Sequence, residues 1–404
     1  MELPWKLPLL LDGATGTTLL KAGMPSDACV EDWVLSHPDV LLKLQTAYAD
    51  AGCDILYAPT FGANRVNLRR HGLEGRIREM NLNLVALTRQ AAGGRCLVAG
   101  DMTSTGLLVE PFGDATFEDL LAVYDEQAAL LKEAGADLLV CETLTSLTDA
   151  RAALLAGRKT GLPIFVTLTV NDRGRTMSGS PLLPCVITLQ ALGAAAVGFN
   201  CSTGLTGMEE WIAEVLPHAA VPLIAKPNAM AKDAVGFDQN LDPEEFAKGM
   251  EALLASGATI VGGCCGTTPA HLAALRQTVD KQPTIAPQEI DVDAASGERA
   301  AFFLADDLEP SPPIPCDSRL PDALIDAEED YNVARVRIDS EDDILELLTS
   351  AAVCQLPTAV YTDDALLLDK VLLRYPGRLL VDSVCEIERP LLEDIAAQYG
   401  AIVF

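Results

Sequence analysis

The stretch ASGATIVGGCCGTTP, residues 255–269, carries a glycine, a short apolar run and two adjacent cysteines in that order. The order of glycine, short linker and apolar run recurs in three earlier stretches. These are DAGCDILYAPT (50–60), EAGADLLVCET (133–143) and ALGAAAVGFNC (191–201). A glycine that ends a helix, followed by a short apolar run, is typical of a helix leading into a buried strand. The four stretches therefore predict four helix-to-strand connections of one repeating kind.

Four more apolar runs lie between these stretches at similar intervals. They are LLLDG (9–13), RCLVAGD (95–101), PIFVTLTV (163–170) and PLIAKPN (222–228). Continuous rather than alternating apolarity indicates strands buried on both faces, as in a parallel sheet covered by helices. Eight such units within residues 1–282 predict an α/β protein with a TIM (β/α)8 barrel, whose active site lies at the carboxyl ends of the strands.

The segments between the apolar runs carry helix start and stop signals. In LDPEEFAKGMEALLASG, Asp242 suits the N-cap, Pro243 the first turn and Gly257 the left-handed end of the helix. The two glutamates after the proline suit the positive end of the helix dipole. Residues 116–135 follow the same pattern, which predicts a second well-bounded helix there.

Residues at the ends of the four glycine-led strands fall at equal distances from the glycines. The positions seven and eight residues on are Pro59–Thr60, Glu142–Thr143, Asn200–Cys201 and Cys264–Cys265. Equal spacing places these residues at one height on the barrel rim, which brings the three cysteines within reach of a common point. Three thiolates with one coordination position left open are typical of a catalytic zinc site.

Other interpretations of the cysteines stay open at this stage. Cys264 and Cys265 also suit a vicinal redox disulfide or inert core positions, but neither accounts for Cys201 at the matching height. Three further cysteines lie in or beside apolar runs and are predicted to fill the core: Cys53, Cys96 and Cys141. The four histidines fall in helical or helix-edge segments, which predicts surface or capping roles: His37, His71, His218 and His271.

Charge and composition narrow the classes of partner. The chain of 404 residues has a formal net charge of -29 and no cluster of Lys and Arg, which argues against nucleic-acid and anionic membrane surfaces. The start MELPWKLPLLLDG lacks the layout of a signal peptide, and no uncharged stretch reaches the length of a membrane span. We therefore expect a cytoplasmic protein whose eleven cysteines are reduced thiols or metal ligands.

Five motifs together resemble the homocysteine S-methyltransferase family, including the homocysteine-binding barrel of cobalamin-dependent methionine synthase. They occur in the order LLLDGATGT, APTFGANR, CET, NCS and GGCCGTTP, and the resemblance covers residues 1–282. It implies that Cys201, Cys264 and Cys265 hold zinc, and that the sulfur of homocysteine takes the fourth position. The implied function is zinc-dependent transfer of a methyl group to the homocysteine thiolate, giving methionine.

The resemblance also implies which residues bind the substrate. Asp12 and Glu142 would hold the ammonium group, Gly13 with neighbouring N–H groups would take the carboxylate, and Thr60 and Asn228 match substrate contacts. Asp12 also suits the cap of the following helix. The methyl donor stays open, with a methyl-corrinoid protein among the candidates. The alternative function is a zinc-containing thiol-binding or assembly module without turnover.

The amino-acid composition of the chain changes after the barrel. Residues 283–330 are rich in proline and acidic residues and are predicted to form a linker, followed by a small α/β segment over 331–404. Four apolar runs in that segment predict a small parallel sheet with three helices. Its stretch LLRYPGRLLVDS (372–383) weakly resembles a fragment of the pterin-binding barrel of methionine synthase. The segment is far too short for a whole pterin domain, and the sequence has no Asp-x-His-x-x-Gly corrinoid motif. If the chain is complete, we therefore expect neither folate nor cobalamin to bind to it by itself.

Overall fold

The computed structural model describes residues 4–202, 204–232, 238–282, 290 and 292–404. The strands of its first part are β1 (Leu9–Leu10), β2 (Ile55–Tyr57), β3 (Leu97–Met102), β4 (Leu138–Leu144), β5 (Ile164–Leu168), β6 (Ala196–Cys201), β7 (Leu223–Pro227), β8 (Met230–Lys232), β9 (Asp238–Asn240) and β10 (Ala258–Val261). Among the described residues, β1 to β7 and β10 form one eight-stranded parallel sheet in the order β1-β10-β7-β6-β5-β4-β3-β2. A parallel bridge between Leu11 and Ile55 joins its two edges. The predicted TIM barrel is confirmed.

Helices surround this barrel. They are α1 (Gly16–Lys21), α2 (Val30–Ser36), α3 (Pro38–Asp50), α4 (Arg65–Arg69), α5 (Ile77–Ala92), α6 (Phe117–Glu133), α7 (Leu147–Arg158), α8 (Leu182–Ala191), α9 (Met208–Val215), α10 (Pro243–Ala255) and α11 (Pro269–Val279). The predicted cap of α10 is present, since Asp242 accepts the N–H of Glu245 in a capping box and Gly257 follows the helix with φ of +116°. No helix in the described ranges is long and apolar enough to cross a bilayer.

Alternate residues of each barrel strand pack into two different cores. In β4, Leu138 and Val140 belong to the cluster inside the barrel, whereas Leu139 and Cys141 belong to the layer between strands and helices. Both faces are therefore buried, which explains the continuous apolar runs. The same alternation directs Glu142, two residues after Val140, to the inside of the barrel above its apolar core.

The second part of the structure, residues 292–404, is here called the C-terminal module. Its elements are β11 (Ala294–Ser296), β12 (Ala301–Phe303), β13 (Ile314–Pro315), α12 (Leu320–Ala327), β14 (Ala334–Arg337), α13 (Glu341–Ser350), β15 (Thr358–Tyr361), α14 (Ala365–Arg374), β16 (Leu380–Val381), α15 (Arg389–Gln398) and β17 (Ile402–Val403). β11 and β12 form an antiparallel hairpin, and β13 to β17 form a parallel five-stranded sheet in sequence order.

Part of the segment predicted to be a linker, residues 283–330, has regular secondary structure. Residues 283–289 and 291 lie outside the described residues, but 292–330 contain the hairpin, helix α12 and strand β13. Strand β13 adds a fifth strand to the four that the sequence predicts. Its Pro315 is tolerated because the strand lies at the edge of the sheet. Strands of two or three residues are too short to show a period in the sequence.

The C-terminal module packs against the barrel through specific contacts. Arg151 of α7 is completely buried and donates from Nη2 to the Leu372 carbonyl at 2.8 Å and from Nη1 to the Leu373 carbonyl at 3.0 Å. The hydroxyls of Thr188 and Ser296 lie 2.8 Å apart in a second buried contact. Buried hydrogen bonds therefore join the two parts of the structure.

Candidate metal centre and substrate cleft

Three cysteines meet at the carboxyl ends of β6 and β10. The Sγ atom of Cys201 lies 3.0 Å from that of Cys264 and 3.8 Å from that of Cys265, and the three Sγ atoms lie within 4.8 Å of one another. Tetrahedral zinc with Zn–S bonds of about 2.3 Å separates its sulfur ligands by about 3.8 Å. The three thiols form a donor set that fits one zinc ion, and the Cys201–Cys265 pair already has this spacing, whereas the Cys201–Cys264 pair is closer. Cys265 is exposed, so the cluster opens toward solvent on one side.

The backbone around this cluster adopts conformations that side chains disfavour. Cys201 and Ser202 have φ of +58° and +47°, and Thr143 at the neighbouring rim position has φ of +59°. Asn200 supports this arrangement, because its Oδ1 accepts the Thr143 N–H at 2.9 Å and its Nδ2 donates to the Thr143 hydroxyl at 2.7 Å. Left-handed non-glycine residues cost of order 1 to 3 kcal/mol each and cluster at functional sites.

The glycines beside the paired cysteines allow close backbone packing. A Cβ at Gly263 would lie 2.5 Å from the side chain of Thr267, and Gly266 has φ of +83°. The Cys264 N–H donates to the Pro227 carbonyl at 2.7 Å, and the Thr267 hydroxyl donates to the Cys264 carbonyl at 2.7 Å. The loop therefore holds the paired cysteines in one position through contacts that larger residues at the glycines would prevent.

Hydrogen bonds among the three thiols shift their pKa values in different directions. S–H donation from Cys201 and then from Cys264 lowers the pKa of Cys265. Donation to Cys264 and Cys265 raises the pKa of Cys201. The cluster thus favours negative charge on Cys265 and protons on Cys201 and Cys264, and a bound cation would displace those protons.

A buried ion cluster lies inside the barrel at the level of the cysteines. The Lys226 Nζ lies 3.2 Å from Glu142 Oε2, 3.5 Å from Asp12 Oδ1 and 3.9 Å from the centre of the Tyr57 ring. The Tyr57 N–H donates to the second Asp12 oxygen at 2.8 Å. The structure therefore brings together the two carboxylates that the family resemblance implies as ligands of an ammonium group, and places the ammonium group of Lys226 beside them.

Burial and mutual attraction set the protonation of these groups. Burial raises the pKa of Asp12 to about 6 although Lys226 acts against the rise, and the pKa of Glu142 rises for the same reason. Burial would lower the pKa of Lys226, but Glu142 and Asp12 hold it well above its usual value. Burial and then Glu142 raise the pKa of neighbouring Asp101 well above its usual range, so this carboxyl favours its protonated form.

Gly13 lines the cleft between the cysteines and the ion cluster. A Cβ at this position would lie 2.8 Å from each of Leu272, Thr267 and Tyr48, which explains why a glycine is needed. The next N–H group, that of Ala14, donates to the Thr267 hydroxyl at 3.0 Å. The Ala14 N–H group therefore already has a hydrogen-bond partner within the protein.

Thr60 and Asn228 are buried, and both bond to residues around the cleft. The Thr60 hydroxyl donates to the Asp101 carbonyl at 2.8 Å and accepts the Asp101 N–H at 3.0 Å. Asn228 accepts the Cys265 N–H at 3.1 Å, and its amide lies 3.5 Å from the Ser202 carbonyl. Both side chains thus hold other site residues in place.

The predictions for the remaining cysteines and for a histidine cap agree with the structure. Cys53, Cys96 and Cys141 are buried. His271 accepts at Nδ1 in the capping box of α11 and places Nε2 3.1 Å from the Leu241 carbonyl. His71 is exposed at the edge of the cleft.

Sequence reasoning missed three residues of the site: Asp101, Asn200 as a support of Thr143, and Lys226. Each lies two residues after an inward-facing apolar residue of its strand, namely Ala99, Gly198 or Ile224. A lone polar residue at the end of an apolar strand is the signal that identifies such positions. Lys226 shows it most clearly, since PLIAKPN is otherwise uncharged.

These groups share one cleft of about 700 Å³. The cysteines lie on one side and the carboxylates and Lys226 on another, while apolar residues form the remaining wall: Ala28, Val30, Phe61 and Leu68. The cleft thus combines a thiolate cluster, a charged end and an apolar surface. It suits a small zwitterion with a sulfur at the opposite end.

Comparison with known proteins agrees with this geometry. Residues 9–279 match the family described as Homocysteine S-methyltransferase. The chain is 32% identical to a methionine synthase of Mycobacterium tuberculosis over 282 residues and 31% identical to that of Mycobacterium leprae. These matches cover 65% of this chain but only 24% and 23% of the two relatives.

A solved structure shares the fold of the barrel. The homocysteine methyltransferase MmuM from Escherichia coli, in its metallated form, superimposes with a TM-score of 0.57 and 25% identity. The match covers 67% of this chain and 95% of MmuM, and the oxidized form matches with the same TM-score and 26% identity. The chain therefore belongs to the homocysteine S-methyltransferase family.

Proposed function

We propose that this chain is a zinc-dependent methyltransferase that transfers a methyl group to the thiolate of homocysteine, giving methionine. The observation that carries the proposal is the placement of a three-cysteine cluster and a buried carboxylate pair in one cleft of a member of this family. A set of metal-ligating thiols and a pair of carboxylates in one cleft match the sulfur and the ammonium group of homocysteine.

Cys201, Cys264 and Cys265 would hold zinc with one position left for the substrate sulfur. Bound zinc lowers the pKa of a coordinated thiol, which keeps the substrate sulfur deprotonated at neutral pH without a general base. The residues of the chain then bind and orient the substrate. Asp12 and Glu142 form the acidic end that would attract its ammonium group, and the backbone at Gly13, which lines the cleft, would receive the carboxylate.

Thr60 and Asn228 support the site through their hydrogen bonds to Asp101 and Cys265. The exposed side of Cys265 leaves an approach for the methyl donor. In the transfer, the bond from the donor to the methyl carbon breaks as the sulfur–carbon bond forms, and the donor keeps the electron pair. The reaction depends on in-line approach, so orientation of the sulfur is the main task of the protein.

The methyl donor is considered separately, because the chain spans only about a quarter of the length of the methionine synthases that it matches. We propose a methyl-corrinoid protein as one candidate. The test supplies the zinc-loaded chain and homocysteine with four donors in turn: a methyl-corrinoid protein, a methyl folate, S-methylmethionine and betaine. Methionine is measured by mass spectrometry, and Cys264→Ser is the control. Absence of transfer from every donor, with homocysteine still bound, would favour the thiol-binding module instead.

A further inference from the structure

The acidic end of the cleft already contains an ammonium group, that of Lys226. We propose that Lys226 is a positioning residue that, together with Asp12, holds Glu142 so that Glu142 alone accepts the substrate ammonium. This inference rests on the proposed function and divides the roles of the two carboxylates within it. Lys226 and Asp12 act on the substrate only through Glu142.

The exposure of the two carboxylates separates their roles. The Asp12 side chain is 1% exposed, and its two oxygens face the Tyr57 N–H and the Lys226 ammonium group. The Glu142 side chain is 13% exposed, and only its Oε2 faces Lys226 at 3.2 Å. Glu142 therefore has an oxygen left for a ligand in the cleft. Asp12 is almost completely buried, and its Oδ1 makes no hydrogen bond within the described part of the chain but forms an ion pair with Lys226 at 3.5 Å.

The charges in the cluster lead to the same division. Two carboxylates and one ammonium group leave a single negative charge, which one substrate ammonium group neutralises. Without Lys226, two buried carboxylates would face each other without compensation, and one would take up a proton or turn away. Glu142 would then lose its charge or, if Asp12 takes up the proton, the ion pair that orients it.

Direct binding of the substrate carboxylate by Lys226 is the rival role. The lysine already lies between two carboxylates, and its side chain is only 4% exposed. A third carboxylate at this place would meet the repulsion of both. Strand pairing also restrains Lys226, because it lies opposite Asn200 in the register of β6 and β7.

The experiment compares three thiols on the zinc-loaded full chain by titration calorimetry. Homocysteine carries both charged groups, 4-mercaptobutyrate lacks the amino group, and 3-aminopropane-1-thiol lacks the carboxylate. Lys226→Met is expected to weaken the binding of homocysteine and of 3-aminopropane-1-thiol by roughly 10- to 100-fold, which is the effect of losing a charged hydrogen bond. The affinity for 4-mercaptobutyrate is expected to change by less than about threefold, which corresponds to less than 1 kcal/mol of binding free energy.

Two patterns would overturn the proposal. Equal weakening of all three thiols would assign Lys226 to the zinc cluster or the fold, and weakening confined to the two thiols with a carboxylate would make it a direct ligand. The double variant Asp12→Asn with Lys226→Met removes the excess charge, and it is expected to bind zinc normally and show the same pattern. Failure of both variants to fold would also overturn the proposal.

The same titrations keep this inference separate from the proposed function. An unmodified chain that binds homocysteine in the expected pattern but transfers no methyl group from any donor would contradict the methyltransferase function and leave the role of Lys226 supported. Methyl transfer with normal kinetics in Lys226→Met would contradict the role of Lys226 and leave the methyltransferase function supported.

Discussion

The guanidinium group of Arg151, on a barrel helix, donates a hydrogen bond of 2.8 Å to the carbonyl of Leu372, at the end of a helix of the C-terminal module. This arginine is completely buried, and burial lowers its pKa to about 10. The ends of helices leave carbonyl groups without partners, and a cation there also complements the helix dipole. The barrel thus caps helix α14 of the module, which makes the two parts one packed unit.

Replacement of Arg151 tests this contact. Arg151→Met keeps much of the side-chain volume but leaves the Leu372 and Leu373 carbonyls unpaired in a buried place. We expect the free energy of unfolding to fall by about 1 to 3 kcal/mol, measured by urea denaturation, with zinc content unchanged. The matched control is Arg158→Met, because Arg158 is exposed and bonds to the Gln398 carbonyl. Equal losses in the two variants would contradict a special role of Arg151.

Removal of the C-terminal module tests the same interface as a whole. A chain that ends after Gln282 would expose Arg151 and the apolar surface that α8 shares with the hairpin. We expect a lower midpoint of thermal unfolding and weaker solubility than for the full chain, because buried apolar area is returned to water. Unchanged thermal unfolding of the shortened chain, measured by calorimetry, would show that the barrel is stable without the module.

Replacement of one thiol tests the metal site. Cys264→Ser removes one of three ligands, and we expect the purified variant to lose most of its zinc, measured by mass spectrometry of the metal. Cys96→Ser is the matched control, because Cys96 is buried and donates to the Cys53 carbonyl far from the cluster. Full zinc content in the first variant would rule out the assignment.

Replacement of Glu142 tests the ammonium site. Glu142→Gln keeps the shape of the side chain but removes the charge that attracts the ammonium group. We expect the KM for homocysteine to rise by roughly 10- to 100-fold, equal to about 1 to 3 kcal/mol, while zinc content stays normal. Glu126→Gln, which changes an exposed ion pair with Arg65, is expected to leave the KM unchanged. An unaltered KM in Glu142→Gln would assign Glu142 a structural role.

Local patterns along the chain predicted much of the barrel and the cysteine cluster. The glycine before each of four strands set the height of Glu142, Cys201 and Cys264 on the rim, and these residues do meet in the cleft. The short strands of the module were harder to predict. Strand β13 has two residues, and its place in the sheet depends on its pairing with Val336 and Arg337.

The sequence by itself determined the (β/α)8 barrel and the three thiols, because both follow from repeated spacing that strand and helix geometry convert into position. Only the tertiary structure decided that Lys226 lies between Asp12 and Glu142, and that Arg151 caps a helix of the module. These pairs come from elements far apart in the chain. Closure of the barrel and packing of the module bring them together, and the distances that result decide which charges are neutralised and which remain for a substrate.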